Sequence, residues 1–254
     1  MDFSVALPLS PRCEGCCYVV LTCSGVVTGT AFAVSDRILL TAFHCLGKSR
    51  YYFIAPSVTR SNAGSLDYPS GRSKVKVVAR GGLQNDVYYA VLEMVNKRTS
   101  SSDYWPITLT PIPIFTQPIH IEDSVKVYFA FRAKEFNGLS RDTCSIGVHS
   151  YEKITSVTAH HIENDRGFFY GCSGGPYVIN DRGVGKVVAL HIESDNSIPD
   201  VAISPQSTDM DSEIASLREA MSEASNNHSS VAQGLIISKC KELCEVLRTK
   251  GVTV

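Results

Sequence analysis

Short apolar or alternating runs recur along most of the chain, punctuated by clusters of Gly, Ser, Asn and Pro. Val19-Val20-Leu21, Thr30 to Val34, Ile38 to Thr41, Tyr51 to Ile54, Val75 to Val78 and Val87 to Leu92 each read as a β-strand. Within them Lys74-Val75-Lys76-Val77 alternates with the period of a half-exposed strand. A connector from Trp105 to Pro118 follows, with Pro106, Pro111, Pro113 and Pro118. Prolines at that density suit neither a helix nor a central strand. A second strand series comprises Val125 to Phe129, Cys144 to Val148, Ile154 to Ala159, Tyr177 to Ile179, Val187 to His191 and Val201 to Ile203. Two series of about six short strands predict an all-β protein made of two barrels or sandwiches.

From about Ser207 the period becomes helical. Ile214, Leu217 and Met221 share one face of a first segment, and Asn226-Asn227-His228-Ser229-Ser230 breaks it. Val231, Leu235, Cys240, Leu243, Cys244 and Leu247 mark a second. The expected organisation is a Cys-rich segment at 1–16, a β unit at 17–104, the linker at 105–118, a β unit at 119–206 and a helical tail at 207–254. The tail is expected to pack on the second β unit as a cap, with a self-associating or partner-binding coil as the alternative.

Composition narrows the function classes. A chain of 254 residues, 44% hydrophobic and 19% charged, is long enough to bury a proper core. Its net charge of −1 gives no broad field for nucleic acid or an anionic membrane, and no apolar run is long enough to span a bilayer. Met1-Asp2-Phe3-Ser4 does not open a secretory signal, so an intracellular, cytoplasmic location is expected. Nine cysteines, four of them at Cys13, Cys16, Cys17 and Cys23, fit thiols in a reducing compartment. Cys13-x-x-Cys16 is half of a zinc knuckle without a second half at suitable spacing, so no metal site is assigned; metal and disulfide readings stay open beside the thiol one. Cys240 and Cys244, one turn apart on an apolar stripe, read as small core residues.

Candidate chemistry lies in three places. Gly171-Cys172-Ser173-Gly174-Gly175-Pro176 leaves a serine hydroxyl uncrowded in a turn that can aim successive N–H groups at one point. Such a hydroxyl needs a histidine base oriented by a carboxylate. Of seven histidines, His44 stands at a strand end in Leu39-Leu40-Thr41-Ala42-Phe43-His44-Cys45, and Asp86 opens the apolar strand Val87 to Leu92.

In the order Thr-Ala-Phe-His-Cys, Asn-Asp-Val-x-x-Ala-Val-Leu and Gly-x-Ser-Gly-Gly-Pro, these motifs resemble the chymotrypsin-like (trypsin-fold) serine peptidases over roughly Val19 to Ile203. Gly29-Thr30-Ala31-Phe32-Ala33-Val34 is similar to a strand of their intracellular and bacterial branches, and Ile162-Glu163-Asn164-Asp165 resembles the high-temperature-requirement proteases. The resemblance implies two six-stranded antiparallel β-barrels followed here by a C-terminal α-helical extension. It also implies protein or peptide substrates and no cofactor. Ser173 is then the nucleophile, His44 the base, Asp86 its orienter, and the N–H groups of Gly171 and Ser173 the oxyanion hole. A peptidase-like scaffold that only binds protein partners is the alternative.

Two departures from the family pattern matter. Cys172 stands where secreted trypsins carry an aspartate that pairs with a cleaved N-terminus, so no N-terminal clipping is expected. Gly167 stands where a basic-P1 enzyme would carry an acid, which argues against Arg or Lys at P1. The expected P1 wall contains Gly167, Phe168, His191, Glu193 and Ser194. His191 is similar to the P1-pocket histidine of glutamyl endopeptidases and of picornaviral proteases that cleave after Gln, although Phe168 replaces the hydroxyl residue expected beside it. Glu or Gln at P1, or a medium-sized apolar residue, are the two specificities left open. Glu193 either opposes an acidic P1 side chain or faces away.

Overall fold

The computed structural model describes residues 13–60, 66–83, 86–95, 107–121, 123–135, 141–164, 172–194 and 232–254. For some strand residues, including Asp86, Glu193 and Ser194, it describes the backbone alone. Gly167, Phe168, Gly171, the expected strand Val201 to Ile203 and the first helical segment lie outside the described residues.

The first series folds as β1 (Cys17–Leu21), β2 (Val27–Ala33), β3 (Ile38–Ala42), β4 (Tyr51–Ala55), β5 (Ser57–Arg60), β6 (Leu66–Asp67), β7 (Ser73–Leu83) and β8 (Asp86–Met94). Six of these close an antiparallel barrel in the order β1-β2-β3-β8-β7-β4. All five residues of β1 are buried because its two faces meet different cores. Tyr18 and Val20 point into the barrel with Ala31, Leu39, Tyr52, Ile54 and Leu92, while Val19 and Leu21 pack outward against Val58, Ala130 and Cys144 of the second sheet. A strand apolar on both faces reads in sequence as a continuous hydrophobic run, as Val19-Val20-Leu21 does.

The second series gives β9 (Ser124–Glu135), β10 (Arg141–Lys153), β11 (Ser156–Val157), β12 (His161–Asn164), β13 (Pro176–Asp181), β14 (Val184–Ser194) and β15 (Ala232–Ile236). They form a nine-stranded antiparallel sheet in the order β11-β12-β15-β14-β13-β9-β10-β5-β6. Three features depart from the sequence reading: the expected strand Ile154 to Ala159 shrinks to β11, with β12 following unanticipated, and two more lie elsewhere. The short strands β5 and β6, not anticipated, leave the first unit and extend the second sheet through β10. Residues 232–236, expected to be helical, are instead the strand between β12 and β14. Their apolar period is compatible with either structure; the vacancy between two strands decides it, because an unpaired ladder inside a sheet would leave buried backbone groups unsatisfied.

The C-terminal helix α1 (Lys241–Thr249) buries Leu243, Cys244 and Leu247. It does not cap the second sheet alone. Leu243, Leu247, Cys240 and Val252 join one cluster with Phe32, Leu40 and Val91 of the barrel and Val187, Leu190 and Leu235 of the second sheet. The helix therefore seals the seam between the halves. Cys240 and Cys244 are buried thiols, as are Cys13, Cys16 and Cys17. The proline-rich connector runs along the same seam: the N–H of Ile112 bonds the Ala33 carbonyl, and Phe115 and Pro113 bond Val187. Leu109, Ile112 and Phe115 point inward while Pro111 and Pro113 face solvent, so the prolines cost the connector no buried hydrogen bond.

Candidate active site

Ser173 sits in a tight turn, Cys172 to Gly175, closed by the Gly175 N–H on the Cys172 carbonyl at 2.8 Å. Gly174, at the third position, has φ +84°, the conformation a type II turn requires there. A side chain at Gly174 would run into the Thr30 carbonyl, and one at Gly175 into that of Tyr128. Both glycines are thus imposed by close backbone approach as well as by the turn. Cys172 is wholly buried in the core of the second sheet, whereas Ser173 is half-buried. The thiol therefore serves packing, and the hydroxyl is the accessible group of the pair.

The turn is anchored on both halves. The Ser173 carbonyl accepts the Thr30 N–H of β2 at 2.9 Å and the Cys45 thiol at 3.3 Å. Cys45 closes the single 3-10 turn Phe43–Cys45 that carries His44, which is exposed. Burial pushes the Cys45 thiol up to about 12, so it is a neutral donor. Thr41 Oγ donates to the Thr30 carbonyl at 2.6 Å, and Thr30 Oγ accepts the Ala130 N–H at 2.7 Å, which ties β3, β2 and β9 together directly beneath the turn. The register of β3 on β8 pairs Ala42 with Tyr89. The His44 turn therefore continues past that pair toward the end of β8 that begins at Asp86. The backbone brings residues 44, 86 and 173 to one end of the barrel, while the Asp86 side chain and Gly171 lie outside the description.

His191 is brought to the same turn by the β13–β14 ladder. The Gly174 N–H donates to its carbonyl and its own N–H to the Gly175 carbonyl, at 2.9 and 2.8 Å. The Gly174 and Gly175 amides are therefore committed within the fold. The His191 ring is 2% exposed, and its Nδ1 lies 3.0 Å from the Tyr177 hydroxyl. Burial, reinforced by the charge His44 would carry, holds the imidazole down at about 3, so it is neutral. Sequence reasoning missed Tyr177. The hairpin Asn180-Asp181-Arg182-Gly183, with positive φ at Arg182 and Gly183, sets the register of β13 on β14 as far as Val178, and a bulge between Tyr177 and Val178 then places Tyr177 opposite Ala189.

Past His191, β14 bulges at Ile192. Without the extra residue, position 193 would share the inward row of Ala232; with it, Glu193 pairs with Gln233 and Ser194 with Ala232. Gln233 bonds Glu163 on the outer face at 3.3 Å, so the bulge puts residue 193 in the outward row and residue 194 in the inward one. Among the described residues no group of three or more metal-ligating side chains is found.

This seating of a serine turn against a histidine turn, across a closed six-stranded barrel and a second antiparallel sheet, has a match among known families. A family model described as Trypsin fits residues 12–208. The chain belongs to the trypsin family of chymotrypsin-like serine peptidases. No curated protein matches it. The family match ends ahead of β15 and α1, although β15 completes the run β12-β15-β14 beside His191. The stretch 195–231 thus falls between two neighbouring strands of this trypsin-family sheet. Family membership makes proteins or peptides the substrate class.

Proposed function

We propose that the chain is a working serine endopeptidase in which Ser173, His44 and Asp86 form the catalytic triad. One observation carries this reading: the Ser173 carbonyl is hydrogen-bonded to Cys45, the residue next to His44. Ser173 Oγ adds to the substrate carbonyl carbon while His44 takes its proton. His44 then returns that proton to the leaving amine, and water hydrolyses the acyl-enzyme by the same route in reverse. Asp86 fixes the imidazole tautomer and stabilises the imidazolium. The oxyanion is held by the N–H groups of Gly171 and Ser173, a donor being worth about 3 kcal/mol to the transition state. The commitment of the Gly174 and Gly175 amides inside the turn and ladder supports that choice of donors. A fluorophosphonate probe is expected to label wild type and not Ser173→Ala, and His44→Ala to lose about 10⁴-fold or more in kcat/KM. Labelling that survives in Ser173→Ala would reject the assignment; an unlabelled, inactive wild type would leave the binding scaffold as the function.

At P1, the reading is Glu or Gln recognised by His191. Either group can donate in the Tyr177–His191 hydrogen bond; in the tautomer where Tyr177 donates to Nδ1, the ring proton stands on Nε2, a neutral donor suited to a side-chain oxygen. Replacing His191 with Ala is expected to equalise hydrolysis of P1-Gln, P1-Glu and P1-Leu peptides. The apolar alternative gains if P1-Leu is preferred by wild type. Nine thiols without a disulfide support a reducing compartment, and hence the cytoplasm, as the working environment.

A further inference from the structure

A groove opens beside the histidine turn. The ladder between β4 and β7 runs from Ile54 with Ser73 to Tyr51 with Lys76, and ends on one further bond, the Val77 N–H to the Arg50 carbonyl at 3.0 Å. β7 continues to Leu83, but beyond that bond no strand among the described residues pairs with its β4-side edge. A bulge between Val77 and Ala79 bends β7 at the point of parting. The space left is a groove of about 370 Å³, with Lys48, Ser49 and Arg50 on one bank and residues 77–80 on the other.

Its charge is of one sign. Lys48, Arg50 and Arg80 are exposed, no acid lines the groove, and among the described residues none of the three meets a carboxylate. Cations farther along the same face are occupied: Arg72 lies over the Phe53 and Tyr68 rings, Lys74 over Tyr51, and Lys76 on Glu93. Arg50 has only the Tyr51 ring, at 5.9 Å, and Lys48 has no bond or ring contact among the described residues. Arg80 reaches the Gly47 and Ser49 carbonyls through Nη2 alone, at 3.5 and 3.4 Å, and lies over the Phe43 ring. Three like charges around one groove repel one another, and an anionic ligand relieves that repulsion.

The form of the groove selects the anion. Val77, Val78 and Ala79 line it, and the unpaired edge of β7 offers main-chain groups to an extended peptide. No aromatic ring lines it, so a nucleobase finds no stacking platform. Phe43, under Arg80, precedes His44, and Lys48 follows His44 by four positions. The Cα atoms of 44 and 48 are therefore no more than about 14 Å apart, the span of about four extended residues. We propose that this groove binds an acidic stretch of the substrate, so that the peptides taken carry Asp or Glu within about four residues of the cleaved bond. The docking stands on the groove alone; that it serves cleavage rests on the peptidase reading.

Fluorescein-labelled peptides with a common centre, and either an Asp/Glu block or its Asn/Gln counterpart on the amino or carboxyl side, test it by anisotropy with full-length Ser173→Ala. An acidic block on one side is expected to bind about tenfold tighter than its neutral counterpart, the sum of a few exposed ion pairs, and to lose that advantage in about 0.5 M salt. Lys48→Gln/Arg50→Gln is expected to lose most of it with Tm unchanged, both side chains being exposed. Arg80→Lys, which keeps the charge, is expected to retain more of it than Arg80→Gln. With Ser173 in place, the same acidic block is expected to raise kcat/KM through KM. Equal binding of acidic and neutral peptides, or an acidic preference that survives when all three cations are replaced by Gln, overturns the proposal while peptide hydrolysis continues. A single-stranded RNA oligonucleotide that displaces the acidic peptide at lower concentration than the peptide itself also overturns it, in favour of nucleic acid. Acid-selective binding lost in the variants, with no peptide hydrolysed by wild type, upholds the groove and rejects the peptidase reading instead.

Discussion

The two halves handle buried polarity in opposite ways. In the barrel, Thr30, Thr41 and Ser73 spend their hydroxyls on backbone groups, and the rest of the interior among the described residues is aliphatic and aromatic, with the Tyr52 hydroxyl buried there without a partner. In the second sheet, two imidazole- or amide-bearing side chains, His191 and Asn164, face inward on adjacent rows. The barrel uses polarity to fasten strands, including the platform under the Ser173 turn. The second sheet keeps an imidazole and a carboxamide inside its own core.

The sharpest way to break that contrast is to disturb the platform. Gly174→Ala forces a Cβ onto Thr30 and Thr41 at φ +84°, whereas Gly183 has nearly the same φ with open space around it. Gly174→Ala is expected to cost about 4 kcal/mol in denaturant unfolding and most of the activity, Gly183→Ala about 1 kcal/mol and none. Equal costs would mean that backbone conformation alone, and not the seating on the barrel, matters at Gly174.

The buried imidazole of the second sheet should show in acid. His191 is held near 3 when folded and titrates near its ordinary 6.5 when unfolded. Between those values the unfolded chain binds one proton more, so stability is full above about 6.5 and falls as pH drops, by about 1.4 kcal/mol per unit from this residue. Unfolding curves at pH 7, 5.5 and 4.5 should be steeper in pH for wild type than for His191→Gln. Identical slopes would deny that the ring is kept neutral.

Removing the Tyr177 hydroxyl tests the same imidazole more gently. Tyr177→Phe is expected to lower P1-Gln hydrolysis by about tenfold, with little effect on P1-Leu, through loss of one hydrogen bond that orients His191. The smallest effect is expected at the rim. Lys250, just after α1, and Lys76 both reach Glu93 of β8, at 3.3 and 3.1 Å. Burial raises the Glu93 carboxyl, but the two ammonium groups outweigh it and hold the group below its usual range. These pairs are half-exposed, so Lys250→Ala should cost only about 0.3 kcal/mol, less still in high salt.

Much of the barrel was legible because its strands are covered on both faces and advertise themselves as apolar runs, as Val19 to Leu21 and Val87 to Leu92 do. Strands β5, β6 and β12 were not, because each is too short for a period to build up. Strand β15 was misread because Leu235, Cys240, Leu243 and Leu247 satisfy a helical spacing that only the neighbouring strands override. At the site, His44 and Ser173 were singled out by local motifs. Tyr177 was not, since its place depends on ladder register: it falls beside His191 only through the pairing of β13 with β14. The bulge at Ile192, which decides where Glu193 and Ser194 fall, leaves no local mark in the chain.

The late arrival of β15 has a bearing on how this molecule is made. The histidine and serine turns are both synthesised by residue 173, but the strand that joins β12 to β14 is delivered only at 232–236. A nascent chain paused between those points carries a serine and a histidine with no wall behind them, and must leave two sheet edges waiting. The sheet is thereby completed only when this small strand of Ala, Gln, Gly, Leu and Ile takes its place between them.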